Sequence, residues 1–428
     1  MVSDVWRRLA VALLLLLAAT AQGRAEETDT RQGIFEPSMR SLRVTLEGND
    51  FAPPVIMLGH DDSCLTVSFD ELGEERRFMR YELIHCDALW RPEGLVASEF
   101  LDGFNEGTVE DYEYSRATLV HYVHYVITIP NRDIRITEPG NYLLRVYDES
   151  DPEETLLQAR FGVSDFSAVI SAGVTSLTDI DANRSHQQVS LGVDLRHVSG
   201  GVADPFNDLT VVVSQNGRPD NEVVLTTPQR VLGDRVIYEH LRPLIFPAGN
   251  EYRRFETVST NYPGMGVENI TFEAPVYNMW LSTDTPRAFS PYSYDSTQHG
   301  RYFIRESSST NSDTEADYVM TNFSLEMPEL IGRDVFLDGD FVQRRFDPLS
   351  RMVYNRATGR YEQSMLLKQG AYNYQYLAVP FGATRGETAP VEGDFYQTVN
   401  EYTIRVYHRP RGSRFDRLIG VTTITSGL

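Results

Sequence analysis

Pairs of adjacent acidic residues are the first arrangement in this 428-residue chain that could carry chemistry. Two carboxylates placed on either side of a glycosidic bond can act as acid and base in its hydrolysis. The candidate pairs are Asp70 with Glu71, Glu74 with Glu75, Glu110 with Asp111, and Glu153 with Glu154. The chain contains 61 aspartates and glutamates, so such pairs are expected by chance and do not favour a glycosidase.

The nine histidines are scattered, and His121 and His124 are the two that lie nearest in sequence. They stand in the strand-like run VHYVHYVITIP. An odd spacing puts their side chains on opposite faces of a strand, so they cannot both bind one metal ion from there. The chain also lacks a G-x-S-x-G elbow, an H-E-x-x-H motif and a phosphate-binding loop. We therefore expect a protein that is not an enzyme and has neither a cofactor nor a metal.

The N-terminus has the pattern of a secretory signal peptide. Arg7 and Arg8 precede an apolar run of about eleven residues, too short for the roughly 20 that span a bilayer. Small residues and then two glutamates follow, which predicts cleavage near residues 23–25. We expect residues 1–25 to be removed, and the mature protein to be soluble in the periplasm.

Two cysteines, Cys64 and Cys86, leave two interpretations open. Each belongs to a strand-like run, and the turn around Glu71–Glu74 could fold the two runs into a hairpin. An exported protein meets an oxidising compartment, where a pair of nearby cysteines often forms a disulfide. The alternative is two buried thiols.

Short β-rich runs separated by Pro and Gly turns recur along the chain, whereas helical periodicity is scarce. The pattern predicts an all-β protein of three tandem immunoglobulin- or fibronectin-like β-sandwiches after the signal peptide. We place these modules at residues 39–164, 165–314 and 315–428, with a long linking segment at the end of the second. Tyr372, Tyr374 and Tyr376 share one strand face, which favours core or inter-domain packing over ligand stacking.

The chain is strongly acidic, with a formal net charge of −22. Such a charge disfavours binding to nucleic acid or to anionic lipid surfaces by long-range attraction. The charge could serve solubility alone, or it could help the protein to dock on the basic rim of a partner.

Three stretches resemble motifs of one known family, in the same order. Residues 81–165 contain an H-C…W-x-P run, an L-D-G-F-N…D-Y-x-Y-S loop and an I-T-x-x-G-N-Y-L-L-x-V-Y strand. Residues 313–318 read DTEADY, and residues 366–380 read LLKQGAYNYQYLAVP. These motifs are similar to those of the plug protein family of the bacterial type IX secretion system, a periplasmic Bacteroidetes-type family.

The resemblance implies a periplasmic plug subunit without catalysis. Such a subunit would close the periplasmic mouth of the giant outer-membrane translocon β-barrel of that system. The barrel is then the expected partner, and the protein would be held at the outer membrane through it, without inserting into the membrane. Neither nucleic acid nor a small-molecule substrate is expected.

Two loops carry our candidates for contact with that partner. The turn LDGFN places an aromatic residue beside a glycine, and the stretch after residue 407 forms a basic island in an acidic chain. The residues assigned to partner binding are Asp102, Phe104, Asn105, Tyr112, Arg409, Arg411 and Arg414. The alternatives are that Phe104 covers its own sandwich and that the island pairs with nearby carboxylates such as Asp416.

A second function remains open from the run VFLDGDF at residues 335–341. It resembles the V-x-L-x-G-D-F strand and turn of starch-binding and related early-set sandwiches, which predicts an early-set-like third module. In the sugar-binding versions a Trp soon follows, but here the chain continues with Val342, Gln343 and Arg344. The alternative function is a periplasmic carbohydrate-binding or glycan-processing accessory protein.

Overall fold

The computed structural model describes residues 29–60 and 62–427. The predicted signal peptide, residues 1–25, lies outside these residues. Within the short segment 29–31, Arg31 pairs with Asp29 at 2.8 Å. The chain from Gln32 onwards forms one separate unit. Among the described residues, no helix combines the length and apolar character that a membrane span requires.

Strands make up most of the regular structure. The first twelve are β1 (Gly33–Ile34), β2 (Met39–Leu46), β3 (Val55–Met57), β4 (Leu65–Leu72), β5 (Met79–Cys86), β6 (Leu101–Gly103), β7 (Gly107–Thr108), β8 (Asp111–Tyr114), β9 (Tyr122–Ile129), β10 (Ile134–Ile136), β11 (Gly140–Asp148) and β12 (Asp151–Ser164). The next seven are β13 (Val169–Thr175), β14 (His186–Asp194), β15 (Leu209–Gln215), β16 (Val223–Leu225), β17 (Arg230–Leu232), β18 (Arg235–Tyr238) and β19 (Ile245–Pro247). The last eleven are β20 (Arg253–Glu256), β21 (Val267–Glu273), β22 (Val276–Leu281), β23 (Tyr302–Ile304), β24 (Tyr318–Glu326), β25 (Arg333–Asp338), β26 (Val353–Asn355), β27 (Arg360–Lys368), β28 (Gly370–Pro380), β29 (Glu401–His408) and β30 (Arg417–Thr425).

Helices are few, and the all-β prediction is confirmed. In the described part of the chain the α-helical element is α1, Ser312–Glu315, one turn capped by the Asn311 side chain on the Asp313 N–H. The 3-10 turns are Ala97–Glu99, Pro219–Asn221, Arg242–Leu244 and Asp340–Val342.

The first sandwich comprises β1 to β12. One sheet has the order β1-β12-β11-β5-β7, and the facing sheet has the order β2-β4-β9-β8. Their inward side chains form one hydrophobic core. Strand β5 illustrates how this core arises from alternation along a strand. Met79, Tyr81 and Leu83 alternate with more exposed neighbours, and all three point into the core.

The second sandwich is built from two distant parts of the chain. One sheet has the order β13-β14-β18-β17, and the other has the order β16-β15-β29-β30. Residues of β29 and β30, including Ile404 and Ile419, therefore lie in the same core as Val189 and Val211. The C-terminal hairpin completes a sandwich that begins more than two hundred residues earlier.

The third sandwich, β20 to β28 with α1, is inserted into the second. Its sheets have the orders β20-β28-β23 and β21-β22-β24-β27-β26, and β25 also pairs with β28. Tyr372, Tyr374 and Tyr376 of β28 all lie in its core, which confirms packing as their role. The Tyr372 ring stacks between Phe255 and Tyr302, with centroids 4.9 and 5.2 Å away.

The predicted module boundaries at residues 165–314 and 315–428 are therefore wrong for the last two sandwiches. The third sandwich begins with β20 at Arg253 and ends before β29, while β29 and β30 return to the second. Local patterns identify strands, but they do not show which distant strand each one pairs with. The first sandwich runs from β1 at Gly33 to the end of β12 at Ser164, so it begins before residue 39, where the sequence analysis placed its start.

Of the two interpretations left open for Cys64 and Cys86, the structure does not form the disulfide. Cys64 directly precedes β4 and Cys86 ends β5, and these strands lie in the two facing sheets instead of one hairpin. The Cys86 thiol is buried and donates to the Ile84 carbonyl at 3.7 Å. Burial raises the pKa of this thiol to about 12, which makes it unreactive.

A buried cluster of charges, which we call the charge clamp, joins the first sandwich to the third. Lys368 Nζ contacts Asp70 Oδ2 at 2.6 Å, and both side chains are almost fully buried. The Tyr318 hydroxyl donates to the same oxygen at 2.6 Å, and His124 Nδ1 lies 2.6 Å from Asp70 Oδ1. Burial would raise the pKa of Asp70, but Lys368 and His124 hold that pKa below its usual range.

Replacing Lys368 should be strongly destabilising because it leaves the Asp70 carboxylate buried without its cation. We expect Lys368→Met to lower the free energy of unfolding by about 3 to 5 kcal/mol, measured by denaturant titration. The double variant Asp70→Asn/Lys368→Met should lose less than the single variant. Arg356→Met, at an exposed position, is the control and should change stability by less than about 0.5 kcal/mol. Equal stability of Lys368→Met and the unmodified protein would contradict the clamp.

Candidate docking surface

Residues 101–115, which we call the edge segment, run along one side of the first sandwich. The segment starts with β6, which pairs with β10, and continues as β7 beside β5. It then crosses to the facing sheet, where β8 is the edge strand next to β9. The L-D-G-F-N…D-Y-x-Y-S loop is thus a strap across the open side of this sandwich.

Phe104 is presented to solvent by a rigid turn. Its side chain is 82% exposed, so it does not cover its own sandwich. Gly103 has a φ of +126°, and a Cβ atom there would lie 2.2 Å from the Asp133 carbonyl oxygen. Asn105 fixes the other flank, because its side-chain amide donates to the Leu83 carbonyl and accepts from the Leu83 N–H, both at 2.8 Å.

Asp102 and Tyr112 are placed differently on the same strap. Asp102 is exposed and pairs at 3.1 Å with Arg135 across the β6–β10 ladder, a weak surface contact. Tyr112 is partly buried against the core, and the guanidinium of Arg76 lies 4.5 Å from its ring centroid. The side chain of Asn105, also assigned to docking, is instead hydrogen-bonded to the backbone of Leu83 in β5.

Sequence reasoning missed an aromatic group beside Tyr112. Arg76 also lies 4.4 Å from the ring centroid of Phe78, which is largely exposed, and the Tyr114 ring meets Tyr112 at 5.8 Å. Two sequence features could have indicated this group. They are the run Arg76-Arg77-Phe78 just before β5 and the alternating Tyr112-Glu113-Tyr114 of β8. The first sandwich therefore presents two aromatic points, Phe104 and the Phe78–Tyr112–Tyr114 group.

The basic island mostly pairs within the molecule. Arg409 binds Asp416 at 2.6 Å and also contacts Glu93 of the first sandwich. Arg414 reaches Glu99 of the first sandwich at 3.2 Å. Arg411 is 74% exposed and meets Asp204 at 3.1 Å, so this side chain remains presented at the turn.

The H-C…W-x-P motif provides the part of the first sandwich that contacts the segment before β30. His85 is buried with its Nδ1 atom 2.8 Å from Glu93, and its ring meets Phe415 at 5.3 Å. The Asp416 carboxylate accepts the N–H of Ala88 at 2.8 Å. The motif therefore holds the C-terminal hairpin against the first sandwich.

The DTEADY motif has the same kind of role on the other side. Asp317 accepts the N–H groups of Leu119 and Val120 at 2.8 and 3.0 Å. Tyr122 donates to the Ala316 carbonyl at 2.8 Å, and Tyr318 belongs to the charge clamp. Motifs that stand far apart in sequence meet at the contacts between sandwiches.

Of the adjacent carboxylate pairs, Asp70 and Glu71 each form an ion pair within the protein. Asp70 faces the charge clamp, whereas its neighbour Glu71 binds Arg77 at 2.7 Å. Across residues 29–60 and 62–427, no group of three or more His, Cys, Asp or Glu residues is placed to hold a metal ion.

Comparison with known proteins bears on the first sandwich and on the whole chain. Residues 39–165 match the family described as type 9 secretion system plug protein 1st domain. A hypothetical protein from Parabacteroides merdae has a similar solved structure, with 42% identity, 92% of this chain and 99% of that chain covered, and a TM-score of 0.91. A search of curated proteins finds no match.

Other solved structures are far less similar. An alkylpurine DNA glycosylase from Pseudomonas fluorescens has 15% identity, covers 29% of this chain and 30% of its own, and has a TM-score of 0.17. An α-2-macroglobulin fragment from Escherichia coli has 10% identity, coverage of 46% and 96%, and a TM-score of 0.15. Neither similarity bears on fold or function.

The two arginines of the island should differ in their effect on stability. Arg409→Ala removes the cation from Glu93, which is nearly fully buried, so we expect a loss of about 2 to 3 kcal/mol in the free energy of unfolding. Arg414→Ala removes an exposed pair and should cost less than about 1 kcal/mol. Thermal and denaturant unfolding of the two variants measures the difference. Equal losses would show that the island contributes only as a surface charge.

Proposed function

This chain belongs to the plug protein family of the type 9 secretion system, and we propose that it is the plug subunit that closes the periplasmic mouth of the outer-membrane translocon barrel. A role in type 9 secretion and a periplasmic location near the outer membrane follow from the family. Closure of the barrel, and physical association with it, are the finer statements that we propose.

The observation that carries the proposal is the locking of three sandwiches into one unit. The charge clamp joins the first sandwich to the third, and the Arg409–Glu93 contact joins the second to the first. A third contact, Arg301 to Glu401 at 2.5 Å, joins the third to the second. Because each sandwich contacts both others through buried or partly buried ion pairs, the body can cover a wide opening without rearranging.

The surface suits reversible docking. A net charge of −22 keeps the protein away from anionic lipid, so attachment would depend on specific contacts. Phe104, the Phe78–Tyr112–Tyr114 group and Arg411 are presented side chains of the types that dominate protein interfaces. A few such anchors on a polar surface allow release when cargo needs the opening.

The alternative, carbohydrate binding through the early-set-like turn, has less support at that position. Asp338 is buried and bonded to Gln375 at 2.8 Å and to Arg344 at 3.2 Å. Phe341 packs against the core of the third sandwich. The side chains that would meet a sugar at this turn are thus used inside the protein.

Loss of the protein should make the outer membrane leaky because an unplugged barrel is an open pore. A deletion strain should take up large antibiotics or dyes faster than the parent strain. The same deletion in a strain without the barrel should have no effect, which is the control. Unchanged permeability in a strain with an intact translocon would argue strongly against a plug.

Phe104 and Arg411 should act in docking and not in folding. We expect Phe104→Ala to reduce retention on the purified barrel by roughly thirtyfold, about 2 kcal/mol, at an unchanged melting temperature. Arg411→Ala should weaken retention more modestly. Phe289→Ala is the matched control, since this ring is 97% exposed on the third sandwich. Normal retention of both loop variants would remove these loops from the interface.

A further inference from the structure

A cavity of about 280 Å³ lies where the second and third sandwiches meet. Gln215, Asn221 and Asn400 line it from the second sandwich, and Gln375 and Asp394 line it from the third. Pockets between domains are common binding sites, and this volume fits a ligand of about a dozen heavy atoms. The lining contains no aromatic side chain and is dominated by amides, arginines and carboxylates.

Several polar atoms on this cavity have no partner in the described protein. Arg218 uses two of its nitrogens on Asp220 and the Gly386 carbonyl, but the third makes no hydrogen bond. Gln375 donates to Tyr252 and Asp338, whereas its carbonyl oxygen accepts nothing. Neither atom is sealed from solvent, although both residues are more than nine-tenths buried, so each can face only a space such as this cavity.

Asp394 adds another acceptor to the lining of the cavity. Asp394 accepts from Gly249 and Thr388 with one carboxylate oxygen only. Buried polar groups in proteins are normally paired, so unpaired groups that converge on one cavity indicate a place for a ligand.

The charges around the cavity are balanced, which defines the ligand further. Arg218 is neutralised by Asp220 at 2.6 Å, and Glu387 by Arg333. Arg385 and Asp394 add one further cation and one further carboxylate to the lining, and neither makes an ion pair among the described residues. A site with both donors and acceptors and no net charge suits groups that both donate and accept, and hydroxyl groups do so.

We propose that this cavity binds a small neutral polyhydroxyl compound, the size of a monosaccharide or a sugar alcohol. Arg218 and Arg385 would donate to its hydroxyl oxygens, while Gln375 and Asp394 would accept from its hydroxyl hydrogens. The ligand would sit between the two sandwiches that the barrel-facing body must keep together. The site departs from our expectation that no small molecule binds, and it is independent of the docking loops.

Calorimetric titration of the purified protein tests the proposal. The probes are glucose, galactose, mannose and sorbitol, with glycine and glutamate as charged probes of similar size. We expect at least one polyhydroxyl probe to bind in the millimolar range or tighter and to raise the melting temperature. Arg385→Ala, at an exposed position, should weaken that binding by about tenfold without lowering stability.

Gln375→Leu and Arg356→Ala complete the design. The first removes the unpaired acceptor at nearly the same side-chain volume and should also weaken binding, whereas the second changes an exposed residue that is not part of the lining and should leave binding unchanged. The proposal is overturned if no polyhydroxyl probe binds, if only the amino acids bind, or if binding survives both Arg385→Ala and Gln375→Leu at full strength.

Discussion

The buried pairing of Lys368 with Asp70 is the constraint on which the rest of the structure depends. A lysine ammonium and a carboxylate can be taken out of water only if each finds the other in good geometry. The two residues belong to different sandwiches, so this condition is met only when the first and third sandwiches are docked. Tyr318 of the third sandwich and His124 of the first also contact this carboxylate, so Tyr318 reinforces the contact between the two sandwiches.

The motifs by which the family is recognised are therefore largely devices for holding sandwiches together. The H-C…W-x-P run supplies His85 and is followed directly by its partner Glu93, and the DTEADY run supplies Asp317 and Tyr318. The strap that carries Phe104 is the exception, because its glycine and asparagine serve to expose a ring. In this protein, contacts between sandwiches and exposure of an aromatic ring are therefore assigned to different motifs.

The sequence predicted elements better than their partners. Period-two patterns identified the strands, and the Tyr372–Tyr376 face was correctly taken as core. The same reasoning could not place β29 and β30 in the second sandwich, because strand pairing across nearly two hundred residues leaves no local mark. The turn at Phe104 left open whether its ring is exposed or covers its own sandwich, and the partners of Arg409 and Arg414 depended on how whole sandwiches dock.

The insertion of the third sandwich within the second has a consequence for the order of maturation. A chain that is synthesised from its N-terminus delivers β13 to β19 long before β29 and β30. Until that final hairpin arrives, half of the second core has no covering sheet, while the third sandwich already has all its strands. The nascent molecule thus carries an open apolar face until its synthesis ends, and exposed apolar surface of this kind favours aggregation.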